Sequence, residues 1–161
     1  MDTFSHALWG YGLFGYKRYA WLALFFGAMP DLISFGAFMV MQVVTGAWLA
    51  GPPPLHTLPP WLFINYAIGH SFIVSFAVLA LVRFWRKEIA FTMLAWPFHI
   101  VLDFPFHTKA YFATPIFWPI SDFKVDGIAW SRWYIWWPNV AGLAILLVYR
   151  HRQKKKLKSG A

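Results

Sequence analysis

The chain contains no cysteine, so disulfides and thiolate-held metals are excluded at the outset. Charge is scarce as well: 12% of the 161 residues are Asp, Glu, Lys or Arg, against about a quarter in a soluble domain. Phosphate-cradling glycine loops, nucleophile elbows and Cys/His fingers are all missing. The opening stretch, Met1-Asp2-Thr3-Phe4-Ser5-His6, lacks the basic region of a signal peptide and is read as part of the fold. What the chain has instead is hydrocarbon, with 60% hydrophobic and 22% aromatic residues gathered in long runs. That composition argues against a soluble domain. It predicts an all-α, polytopic membrane helix bundle, with one embedded domain over 1–150 and a basic tail over 151–161.

Five apolar segments are expected, at 3–16, 19–49, 61–82, 88–104 and 132–149. They are divided by Lys17-Arg18, by the proline-rich stretch around Gly51-Pro52-Pro53-Pro54 and Pro59-Pro60, by Arg83 to Lys87, and by a loop over 106–131. Basic residues favour the cytoplasmic side of short loops. Placing Lys17, Arg18, Arg83, Arg86, Lys87 and the tail from Arg150 to Lys158 inside leaves only Lys109, Lys124 and Arg132 outside. The expectation is therefore a protein of the cytoplasmic (inner) membrane with its C-terminus in the cytoplasm. The first segment looks short, and the second is expected to kink at Pro30-Asp31. Tryptophans 48, 61, 118, 130 and 133 mark an outer aromatic belt and Trp85 an inner one. The net charge of +8 sits mostly beside membrane segments, where it anchors topology at anionic lipid; no nucleic-acid partner is expected.

Against this background, ionisable residues inside the apolar runs stand out, because each is costly there unless paired or bound. His99 and Asp103 are four apart and share a helix face. Pro105 then ends or kinks that helix, so that His107 can fold back toward it. His6 lies eleven residues before Lys17 and Asp31 thirteen after Arg18; His70 lies thirteen before Arg83 and His99 twelve after Lys87. At about 1.5 Å per residue, all four reach roughly 16–20 Å from the basic plane, with Asp103 one turn beyond. His6, Asp31, His70, His99 and Asp103 offer the ligand types of a divalent metal, zinc first, with manganese or iron as alternatives. A hydrogen-bonded polar core or a proton relay could also use such a set. His56 and His151 are read as solvated. The aromatic loop from Thr114 to Gly127 either covers the mouth of the site or simply connects, with Asp122 and Asp126 exposed.

Ser5-His6, Met29-Pro30-Asp31, Gly69-His70-Ser71 and His99-Ile100-Val101-Leu102-Asp103, followed by Trp118-Pro119, occur in that order. This order resembles the membrane-bound metal-dependent hydrolase family, also labelled LexA-binding, inner-membrane-associated hydrolases. The resemblance covers roughly residues 5–122 and implies metal ligation by His6, Asp31, His70, His99 and Asp103. The chain departs from the family's pattern at Ile33, where a second acid often follows, and at Asn65-Tyr66, where a His-Arg pair can stand.

The function expected is metal-dependent hydrolysis in the outer half of the bilayer. The substrate would be amphiphilic, such as a lipid phosphate or ester. His6, His70 and His99 would be nitrogen ligands, Asp31 and Asp103 carboxylate ligands, and Asp103 or His107 the general base. Membrane lipids are the expected partners. A small metal-ion or proton transporter using the same residues is the alternative, and a satisfied structural core is a third reading.

The charge asymmetry makes the topology testable. Thr57→Cys and Ser159→Cys, placed singly in this cysteine-free chain, should react with an impermeant thiol reagent from opposite sides of sealed vesicles. Reaction of both from one side would overturn the arrangement.

Overall fold

The computed structural model describes residues 1–47 and 53–159. Trp48 of the expected outer belt, the Gly51-Pro52 start of the proline-rich loop and the last two tail residues lie outside the described residues. Among those described the secondary structure is helical, apart from one isolated bridge between Thr108 and Tyr111.

Helix α1 (Thr3–Phe14) begins where the Asp2 side chain accepts the Ser5 amide at 2.9 Å, a carboxylate cap on an otherwise orphaned donor. Helix α2 (Ala20–Asp31) contains Pro30 and passes directly into a π-helical turn (Leu32–Gly36) and then α3 (Ala37–Val44). The expected kink at Pro30-Asp31 is therefore a widened turn inside one helix running Ala20–Val44. Proline has no N–H to give the preceding turn, and the Ser34 hydroxyl donates to the Pro30 carbonyl at 2.8 Å across the altered stretch.

The break falls instead in the third segment. Helix α4 (Pro60–Gly69) and α5 (Phe72–Trp85) are bent by 56° at His70-Ser71. Ser71 caps α5 by accepting the Val74 amide, and the Phe72 amide donates to the Ile116 carbonyl at 2.9 Å. The break is thus held by the loop that follows α7. Helices α6 (Lys87–Met93) and α7 (Ala95–Asp103) are parted by a turn at Leu94, and Pro105 stops α7 from continuing. Helix α8 (Trp133–Ser159) runs through residue 150 without interruption, so the basic tail is helical as far as it is described.

One helix, Ala20–Val44, is long and apolar enough to cross a membrane; the bent pair α4–α5 also qualifies if it counts as one broken span. The surface is inverted relative to a soluble fold. Trp21, Phe25, Val40 and Val44 are exposed along α2–α3, as are Phe76, Leu81 and Phe84 on α5, whereas His6, Asp31, Ser34, His70, His99 and Asp103 are buried.

Two close approaches bring the buried polar groups together. A Cβ on Gly27 would strike the His6 carbonyl, and one on Gly10 would strike the Ala23 carbonyl, so α1 and α2 cross with their backbones in contact. A Cβ on Gly69 would lie 3.0 Å from the Pro30 Cα, which seats the end of α4 on α2 beside Asp31. Trp96 Nε1 donates to the Gly69 carbonyl and ties α7 to the same corner.

The α1–α2 crossing leaves no room for a methyl group at Gly27. Gly27→Ala should destabilise the purified protein by about 1–3 kcal/mol, the usual range for overpacking. Gly36→Ala would meet the Leu32 side chain at 3.3 Å and the Asp31 carbonyl at 3.7 Å, and should cost less in the same thermal melt. Equal shifts for the two would contradict the packing argument.

Candidate metal centre

Four elements deliver the buried titratable groups to one point: α1 brings His6, α2 brings Asp31, the end of α4 brings His70, and α7 brings His99 and Asp103. Asp31, His70, His99 and Asp103 each offer a ligand atom, and these atoms all lie within 4.8 Å of one another.

The backbone decides which nitrogen each imidazole presents. His99 Nδ1 lies 2.7 Å from the Gly27 carbonyl and His70 Nδ1 lies 2.9 Å from the Tyr66 carbonyl. A carbonyl can only accept, so both Nδ1 atoms carry the proton and donate. In the neutral rings both Nε2 atoms then carry a lone pair, and they face each other at 3.1 Å. Asp103 Oδ2 completes a triangle, 3.2 Å from His70 Nε2 and 3.1 Å from His99 Nε2. Asp31 Oδ1 lies 3.7 Å from each Nε2. Four electron-rich atoms thus converge, and with both rings neutral they could hold a cation at their centre.

The dimensions suit a small divalent ion. Ligand atoms about 2.0–2.1 Å from a tetrahedral zinc lie about 3.3–3.4 Å from one another. The five separations above run from 3.1 to 3.7 Å. The carbonyls of Gly27 and Tyr66 are the outer partners that fix ring orientation and tautomer, as is usual for metal-binding histidines.

His6 and His107 sit beside the four. His6 Nε2 donates to Asp103 Oδ1 at 2.8 Å, and its ring stacks on His99 with centroids 3.6 Å apart. Its Nδ1 is buried without a hydrogen-bond partner. His107 returns over the site after Pro105, its Nε2 3.4 Å from Asp103 Oδ1 and likewise unpartnered. His56 is exposed in the 3-10 turn Leu55–Thr57 and His151 is exposed on α8, both away from the cluster.

Several participants carried little or no mark in the sequence. The Thr3 hydroxyl donates to Asp31 Oδ2 at 2.8 Å, and its spacing of three from His6 on α1 could have suggested a shared face. Tyr66 stacks its ring on His70 with centroids 3.9 Å apart, one turn earlier on α4. The Met1 amino group also contacts Asp103 Oδ1.

A cavity of about 570 Å³ reaches Asp31 and His107, with Phe4, Phe35, Tyr111 and Trp130 among its walls. One turn from His6, Gly10 packs against Ala23, Ala95 and Gly27. No known protein family, curated protein or solved structure matches the chain.

Metal content is the direct check. The purified protein should hold a divalent metal near stoichiometry, and His99→Ala or Asp31→Ala should lose most of it and melt at lower temperature. His56→Ala should change neither. Protein that binds no metal, yet is as stable after chelator as before, would return the cluster to a structural role.

Proposed function

We propose that the chain is a membrane-embedded, metal-dependent hydrolase of the inner membrane, with its cluster in the outer half of the bilayer. The observation that carries this is the pair of Nε2 lone pairs, turned inward by backbone carbonyls and joined by two carboxylates. His70, His99, Asp31 and Asp103 would hold the ion, zinc being the best match to a mixed imidazole and carboxylate set, with manganese or iron also suited. When bound, the ion supplies Lewis acidity toward a scissile carbonyl or phosphoryl group.

The remaining chemistry belongs to this chain's residues. His107 Nε2 is unpartnered, its side chain is 13% exposed, and the residue lines the cavity. It is placed to accept a proton from an attacking water at Nε2, while Asp103 Oδ1 beside it stabilises the imidazolium that results. His6 donates to the same oxygen and orients the Asp103 carboxylate. In this reading His6 supports a ligand through Nε2 and is available as a further ligand only through its free Nδ1.

Phe4, Phe35, Phe106, Tyr111, Phe112 and Trp130 line the cavity together with Asp31 and His107, which suits an amphiphile whose reactive group is polar and whose body is apolar. The five-segment topology, with the loop over 106–131 outside, would open this cavity to the outer leaflet. The ordered motifs at Ser5-His6, Pro30-Asp31, Gly69-His70 and His99–Asp103 support membership of the membrane-bound metal-dependent hydrolases.

A metal-ion or proton transporter would need a polar route to the cytoplasmic face. The contact of Gly10 with Ala23 and Ala95 fills that direction with small apolar side chains and backbone, which favours an enzyme. The two are separated by His107→Ala. In a hydrolase this variant keeps metal and fold but lowers turnover of a lipid phosphate or ester about 10²–10⁴-fold. Metal-dependent flux into proteoliposomes without product from any lipid would defeat the enzyme reading, and loss of metal in His107→Ala would make His107 a ligand.

A further inference from the structure

A second cavity, of about 470 Å³, lies on the other side of Phe112 from the metal centre. Its apolar wall includes Phe63, Ile64 and Ala67 of α4, and its charged residues are Lys109, Lys124 and Asp122. Phe63 and Ile64 are also exposed on the outer surface of the helix, so the wall is continuous with the apolar exterior.

The lysines are conspicuous in their placing. Charge asymmetry leaves three basic residues at this end of the protein, and two of them line this one cavity. Neither forms an ion pair among the described residues, although Asp122 shares the lining. Two ammonium groups against one carboxylate in the lining leave a net positive charge beside a hydrocarbon wall, which complements a ligand with an anionic head and an apolar chain.

The backbone around the cavity is anchored. The Lys109 amide donates to Asp126 Oδ1 at 2.7 Å. Phe112 adopts a left-handed φ of 57°, unusual for a bulky residue, and is held there by the Tyr66 hydroxyl donating to its carbonyl at 2.7 Å. Its ring stacks on Phe63 with centroids 5.2 Å apart, so the partition between the two cavities is itself a packed element.

We infer that this cavity binds the phosphate head of an anionic membrane lipid between Lys109 and Lys124, with the acyl chain along Phe63, Ile64 and Ala67. The site stands on its own geometry and does not depend on hydrolysis at the metal centre.

The test uses the full chain in neutral detergent, with phosphatidylglycerol and phosphatidylcholine offered in mixed micelles and retained lipid counted by native mass spectrometry. The wild-type protein should retain phosphatidylglycerol in preference to phosphatidylcholine. Lys109→Gln with Lys124→Gln should weaken phosphatidylglycerol about 30-fold, two charges' worth, and leave phosphatidylcholine unchanged. Lys155→Gln with Lys156→Gln, on the exposed face of α8, should leave the retained lipid in place. Metal stripping should not alter lipid retention, so failure of the metal reading and failure of this one are read separately. Undiminished phosphatidylglycerol binding in the Lys109 and Lys124 variant would overturn the site. Displacement by inorganic phosphate alone would show that the apolar wall contributes nothing, and would overturn the lipid assignment.

Discussion

The hydrogen bond from His99 Nδ1 to the Gly27 carbonyl is the contact on which most of the site depends. It joins α7 to α2 at the point where α2 also touches the His6 backbone, so one small residue serves three helices. It also sets the tautomer of His99 and thereby turns a lone pair toward His70, Asp31 and Asp103. A side chain at position 27 would part the helices and, with them, the imidazole from its carbonyl. Packing and chemistry are here the same constraint. In lipid, where burying apolar surface gains little, such close backbone contact is also a principal source of helix association.

The rest of the polar interior follows the same logic. Asp103 accepts from His6 through Oδ1 and turns Oδ2 toward the two imidazoles. Asp31 is oriented by Thr3, and Asn139 of α8 donates to Ser5 at 2.8 Å while accepting from Trp9. Each helix that packs near the cluster is thus stitched to a neighbour by a side-chain hydrogen bond. The outward faces present many exposed Trp, Phe, Leu and Val side chains. An interior of this kind tolerates few vacancies, since a lone buried donor or acceptor costs about 1–3 kcal/mol.

The ionisable residues were legible in the sequence because each interrupts an apolar run, and their spacing from the basic clusters put them at one level. The all-helical class was legible for the same compositional reason. What could not be read were the carbonyls of Gly27 and Tyr66, since backbone atoms leave no mark on residue type. The location of the break was misleading as well. Pro30 is the louder symbol, yet a π turn absorbs its missing N–H within one helix. The quieter Gly69-His70-Ser71, with a serine able to cap, is where the chain bends. At the C-terminus the change from apolar to basic residues looks like a boundary, but Lys, Arg and Gln are good helix formers and α8 continues through them. Among the described residues, the helices long and apolar enough to span are fewer than the five segments drawn from composition, because α1, α6 and α7 are short and α8 is rich in Trp, Tyr and charge.

The bend at His70-Ser71 has a mechanical side. His70 takes its orienting bond from Tyr66, behind the bend on α4, whereas Ser71 and Phe72, ahead of it, bond the carbonyls of Trp118 and Ile116. Force applied along α5, whose Phe76, Leu81 and Phe84 are exposed, would therefore be delivered to the loop over 114–118. The imidazole, bonded to Tyr66, lies on the far side of that joint. A residue at a helix break is in this way held from one side of the joint alone, so a tilt of α5 would load the loop before it loaded the imidazole.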